Sequence, residues 1–93
     1  MCNSSNRIYT VGEVHQLDWE IKPNNRNDIV VVTSARYEIL KRNTVIESGN
    51  AKVDGLKISC LFSAKEKGCY TVRIFVTVPP ETVSAELEID VTE

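Results

Sequence analysis

Histidine occurs once in the chain, as His15, and the three cysteines, Cys2, Cys60 and Cys69, include no Cys-x-x-Cys pair. A zinc site built from cysteine and histidine is excluded on that count. An odd number of cysteines also excludes a framework in which every one is paired within the chain. Cys60 and Cys69 are spaced to bridge across a short turn. The preferred reading is a buried Cys60 acting as a small hydrophobe, with Cys69 a loop-side thiol. Long apolar runs are missing too: nothing approaches the roughly 20 residues of a membrane helix. Residues 1–7 are polar and lack the apolar centre of an export signal, so no secretion by that route is expected. Basic charge is also scarce. Eleven Lys and Arg stand against thirteen Asp and Glu, interspersed, for a net charge of −2. No patch suited to a phosphate backbone results, and a nucleic-acid partner is not expected.

Strict alternation is what the chain does have. Tyr70, Val72, Ile74, Val76 and Val78 alternate with Thr71, Arg73, Phe75 and Thr77. After Pro79-Pro80-Glu81-Thr82 the pattern resumes, with Val83, Ala85, Leu87, Ile89 and Val91 against Ser84, Glu86, Glu88, Asp90 and Thr92. A period of two puts one apolar row on each of two strands. The four-residue connection predicts an antiparallel hairpin.

The rest of the chain reads the same way. Residues 1–7 form a polar lead-in, and 8–93 a single domain. Short strands are predicted at 8–11, 14–21 and 34–40, with a helix over 34–42 the weaker alternative. Others follow at Val45-Ile46, Ala51–Val53 and 56–62. Turn-forming residues separate them at 22–28, 41–44, Ser48-Gly49-Asn50, Asp54-Gly55 and 63–68. Ile29–Val32 is too short to classify. Seven or eight short strands without a long helix argue an all-β sandwich or a small barrel. The expected core is Leu17, Trp19, Ile21, Tyr37, Ile39, Ile58, Cys60, Phe62, Val72, Ile74, Val76, Leu87 and Ile89. Trp19→Ala is expected to be the most damaging single change, at about 3–5 kcal/mol.

Glu66-Lys67-Gly68-Cys69-Tyr70 resembles the acid-x-Gly-x-Tyr turn that opens the sixth strand of immunoglobulin-like sandwiches. The resemblance implies an immunoglobulin-like antiparallel β-sandwich of about seven strands. In it the Tyr70 hydroxyl bonds back to the chain just upstream, and Gly68 relaxes the backbone. Val72 stands where antibody domains carry a second inter-sheet cysteine, and Trp19 sits one strand early. Trp19 and Val72 are therefore expected to fill the space of the missing disulfide. Leu17-Asp18-Trp19, Ser48 to Gly55 and Glu66 to Tyr70 together also resemble the small immunoglobulin-like proteins of tailed-phage and prophage virions.

Candidate chemistry is thin. Asp18 and Glu20 share a strand face, and Glu86, Glu88 and Asp90 form a row. The first pair could do acid–base work or hold a hard cation, and the straight row does not converge on one point as a calcium site requires; both are expected to be solvated charges that protect the sheet. Arg73, flanked by Glu38 and by Glu86 or Glu88 in the immunoglobulin-like order, is expected to help set register. Phe75 and Leu40, on outer rows beside Arg73, are the candidate partner patch. His15 is expected at the surface, with no triad around it. Asn3-Ser4-Ser5 matches a glycosylation sequon, and Cys2 the start of a processed lipoprotein. The sequon is read as chance, and the lipoprotein start is kept as a minor hypothesis.

No catalytic residue, metal, cofactor or small-molecule substrate is expected, and the chain is read as not an enzyme. The expected role is a structural or accessory virion protein. It would work through protein–protein contacts with other subunits, its own copies included, in the virion or host cytoplasm. The alternative is an adhesion or spacer module of a bacterial surface protein or lipoprotein.

Overall fold

The structure, a computed structural model, describes residues 7–22 and 31–93. The lead-in apart from Arg7, the sequon, Cys2, most of the 22–28 turn and Ile29-Val30 lie outside the described residues. Eight strands follow in chain order. They are β1 (Arg7–Thr10), β2 (Val14–Glu20), β3 (Ser34–Lys41), β4 (Thr44–Asn50), β5 (Lys52–Asp54), β6 (Lys57–Ser63), β7 (Gly68–Val78) and β8 (Glu81–Thr92). One sheet runs β1-β8-β7-β3-β4 and the other β2-β6-β5. Every pairing is antiparallel except β1 with β8, which is parallel. The protein is an all-β, antiparallel β-sandwich.

Local chemistry explains the joints. β3 and β4 are joined through Arg42 and Asn43, both with positive φ (53° and 65°), the conformation of a two-residue turn matched to strand twist. Gly55, also at positive φ, turns β5 into β6. The closing hairpin is tighter than the sequence predicts. Val78 pairs with Glu81, so Pro79-Pro80 alone make the turn, across a cis peptide bond. The pairings of Val78 with Glu81 and of Thr77 with Thr82 draw Glu81 and Thr82, expected in the connection, into the ladder. Residues 34–41 are strand, as the period of two in Tyr37 and Ile39 requires, and β4 runs well past Val45-Ile46.

The core divides into two clusters. One gathers Leu17, Ile39, Cys60, Phe62, Tyr70, Val72 and Ile89. The other gathers Ala35, Ile58, Ile74 and Val76. Trp19, Tyr37 and Ala51 pack against both and tie them together. Trp19 is only half-buried, and the largest fully enclosed side chain is Phe62. Ile21, Tyr37 and Leu87 are likewise half-buried, whereas Ala35, Leu40, Ala64 and Val91 are buried without having been expected there.

Candidate functional site

The two long sides of the sandwich are finished differently. β5 is three residues long because the chain leaves the five-stranded sheet at Asn50, crosses at Ala51 and turns at Gly55. It therefore covers only Lys57 to Ser59 of β6, and β6 runs on past it to Ser63. The neighbouring layer ends in β4, which among the described residues pairs only with β3. Between β4 and the uncovered half of β6 lies an open seam.

Two cavities lie along this seam. One, about 390 Å³, is lined by Gln16, Tyr37, Asn50, Lys52, Ser59, Cys60 and Leu61. The other, about 340 Å³, lies among Ile39, Lys41, Ile46, Glu47, Ser63, Ala64, Lys65, Glu66 and Tyr70. Gly49 lets the Tyr37 ring lie close against β4: a Cβ there would sit 3.1 Å from the Tyr37 hydroxyl oxygen. That hydroxyl donates to Glu47 Oε2 at 3.2 Å. Burial and the Glu47 charge raise its pKa. Leu61 (61% exposed), Ile46 (55%) and Val45 (46%) are apolar residues left in water on the two strands that bound the seam. Scattered exposed apolar residues are ordinary, but a set beside unfinished strand edges marks a surface suited to a partner.

The two edges differ in backbone regularity. On β4 the register slips between Ile39 and Leu40: Ile39 pairs with Glu47 and Leu40 with Val45, so Ile46 is a bulged extra residue. A bulge twists an edge away from further pairing. β6 carries no such interruption.

One end of the seam is held by a built corner. The Tyr70 hydroxyl donates to the Glu66 carbonyl at 2.7 Å. Its ring meets Phe62 edge-on at 5.6 Å. Gly68 stands at φ 148°, where a Cβ would crowd the Lys41 side chain at 3.2 Å. Lys41 lies 5.4 Å from the centre of the Tyr70 ring and donates to Glu66 Oε2 at 2.9 Å. That bond lowers the Glu66 pKa and raises that of Lys41.

The candidate partner residues singled out from the sequence, Arg73, Phe75 and Leu40, lie elsewhere, on the outer face of the five-stranded sheet. Arg73 stands between Glu38 and Glu86, 3.0 Å from Glu86 Oε1 and 3.9 Å from Glu38 Oε1. Phe75 is half-buried beneath the Arg36 guanidinium, 5.3 Å from its ring centre. Leu40 keeps to the expected outer row, opposite Thr71, but is only 6% exposed. It offers no exposed apolar surface, which corrects the Phe75–Leu40 patch. Alternation fixes the face of Leu40, but it cannot register how the neighbouring side chains close over it.

Chemically reactive groups are quiet. Cys60 is a free, buried thiol, and burial, with the charges of Asp18 and Glu47, pushes its pKa up to about 11. It therefore stays protonated and a weak nucleophile. Cys69 is exposed and disulfide-bonded, not the free thiol expected, and Cys60 is not its partner. His15 stacks on Tyr9 with ring centres 3.7 Å apart and lies 3.3 Å from Glu13. Glu13 has a lowered pKa because it accepts the Thr10 backbone N–H and then because of His15. Among the described residues no three His, Cys, Asp or Glu side chains gather as metal ligands would. No helix there is long and apolar enough to cross a membrane.

No protein-family model and no curated protein matches the sequence. Among solved structures, the chain is similar to part of the crystal structure of an engineered protein, with a TM-score of 0.76 over 98% of this chain at 15% identity. The matched region is 19% of that protein's chain, so this chain spans about a fifth of its length. At that identity the likeness establishes the β-sandwich fold and leaves function to be argued from the surface.

Proposed function

We propose that this protein is a non-enzymatic, immunoglobulin-like structural domain that works through protein–protein contacts, as an accessory component of a tailed-phage or prophage virion. The observation that carries the interaction reading is the open seam, with its exposed Leu61, Ile46 and Val45 and its uncovered half of β6. Such an edge is suited to protein partners. The strand order supports the immunoglobulin-like reading: β2, β6 and β5 form one layer, while β3, β7 and β8 lie together in the other. The bond from Tyr70 to Glu66 is the corner that the sequence resemblance implies. The virion assignment is supported by the Leu17-Asp18-Trp19, Ser48 to Gly55 and Glu66 to Tyr70 segments.

A second reading, an adhesion or spacer module at a bacterial surface, is favoured by the disulfide at Cys69. Disulfides persist in oxidising compartments. Sequencing the source DNA on both sides of the gene separates the two. Flanking capsid, tail or packaging genes are the expected result. An export signal or tandem sandwich domains in the same reading frame would overturn the virion assignment in favour of the surface module.

A further inference from the structure

We infer that Cys69 is cross-linked to Cys2, so that a disulfide straps the lead-in across the outer face of the five-stranded sheet and locks the β1 edge. The inference does not rest on the proposed function, and its test reads the bond and not a partner.

Elimination identifies the pair, and the layers explain it. The chain has three cysteines. Cys69 is in a disulfide and Cys60 is a free thiol. Cys60 packs in the core with Leu17 and Phe62, on the inner face of β6. Tyr70 points into the same core, so alternation turns its neighbour Cys69 to the outer face of β7, where it is exposed. The five-stranded sheet therefore lies between the two sulfurs. Stacked sheets are about 10 Å apart, whereas a disulfide holds its Cα atoms within about 7 Å. Burial also pushes the Cys60 pKa up to about 11, and thiol–disulfide exchange proceeds through the thiolate. Cys2 is the remaining cysteine of the chain.

Strand register places the anchor. Asp90 of β8 pairs with Cys69 on one side and with Ile8 on the other. The three share a face, and Cys69 lies two strand spacings, about 10 Å, from Ile8. Cys2 precedes Ile8 by six residues, which reach about 20 Å when extended. The Cys2 thiol can thus pass over β8 to Cys69 with length to spare. β1 gains a second anchor by this. At its far end Val11 N–H donates to the Thr92 carbonyl and Gly12 N–H to the Ala64 carbonyl. At its near end β1 is a four-residue strand that among the described residues pairs with β8 alone, and the cross-link fastens that end to β7. A fastened β1 keeps Ile89 to Thr92 of β8 covered against strand addition by another chain.

The chemistry balances with one co-reactant. Two thiols become one S–S bond, and their two electrons and two protons pass to a disulfide oxidant such as oxidised glutathione, which leaves as two thiols. A released virion and an exported surface module both meet oxidising surroundings. The bond uses the Cys2 sulfur, so Cys2 cannot also carry the thioether lipid of a processed lipoprotein.

Trypsin puts each cysteine on its own peptide, residues 1–7, 58–65 and 68–73. The full chain is equilibrated at low concentration in a buffer of oxidised and reduced glutathione, alkylated, digested without reduction and read by mass spectrometry. The expected product is 1–7 joined to 68–73, with 58–65 unbridged. Cys2→Ser and Cys69→Ser are each expected to lower the thermal midpoint by about 10 °C, as opening a long closed loop does. Both are expected to melt together with the reduced wild-type protein. A link between 58–65 and 68–73, a covalent dimer, or free thiols at both Cys2 and Cys69 overturns the inference. Midpoints that do not move overturn the locking of β1.

Discussion

The two halves of β8 are written in the same alphabet and meet different fates. From Glu81 to Glu86 every residue is exposed, on both faces of the strand, including Val83 and Ala85. From Leu87 to Val91 the same alternation produces Ile89 at 0% and Val91 at 2% exposure. The difference lies in what covers them. Ile89 and Val91 pack with Leu17, Phe62 and Tyr70, contributed by β2, β6 and β7. Val83 pairs with Val76, which is buried against the other cluster, yet Val83 itself stays in neither cluster. A period of two assigns a face to each side chain, but burial also needs a second layer above that face.

The sharpest way to break this comparison is a pair of truncations. Ile89→Ala is expected to lose about 2–5 kcal/mol, as deletion of a fully enclosed branched side chain does. Val83→Ala is expected to stay within about 0.5 kcal/mol, as surface changes usually do. Urea denaturation of the two variants checks this, and equal losses would show that Val83 is covered in solution. The corner comes next in size. Tyr70→Phe keeps the ring against Phe62 but removes the hydroxyl that reaches the Glu66 carbonyl. A loss of about 1 kcal/mol in the same assay is expected; a neutral result would mean that the corner is held by packing alone. The smallest effect belongs to acid titration. Glu66 and Glu13 have pKa values lowered below 4.5 in the folded protein. Their stabilising contribution is therefore present above the unfolded-state value and lost as pH falls through the folded-state values. Thermal midpoints should decline slightly below about pH 4.5, less so in Glu66→Gln. Both groups are exposed, so the decline is shallow.

Much of the site's surroundings was legible in the sequence, and the seam itself was not. Gly68 and Tyr70 mark the corner because a left-handed backbone and a returning hydroxyl require those residue types. The Arg73 row was legible because opposite charges across a ladder follow from strand order. The seam's signal was the shortness of the run from Ala51 to Asp54 between Asn50 and Gly55, which leaves a strand too brief to cover β6. Reading that as an opening requires knowing which strand lies alongside. Leu40 and Phe75 failed as a free patch for a related reason. Their face was correctly placed, but Leu40 is closed over and Phe75 lies beneath the Arg36 guanidinium.

By itself the sequence determined the all-β class, most strand positions and the side of each strand that turns inward, because alternation and turn chemistry act over a few neighbouring residues. Tertiary structure alone decided that Phe62 is fully enclosed while Trp19 is half-buried, that Cys69 and not Cys60 is disulfide-bonded, and that among the described residues β5 covers only half of β6. Those outcomes depend on which residues distant in the chain come to lie against one another. That is set by the packing of two whole layers and not by any local pattern.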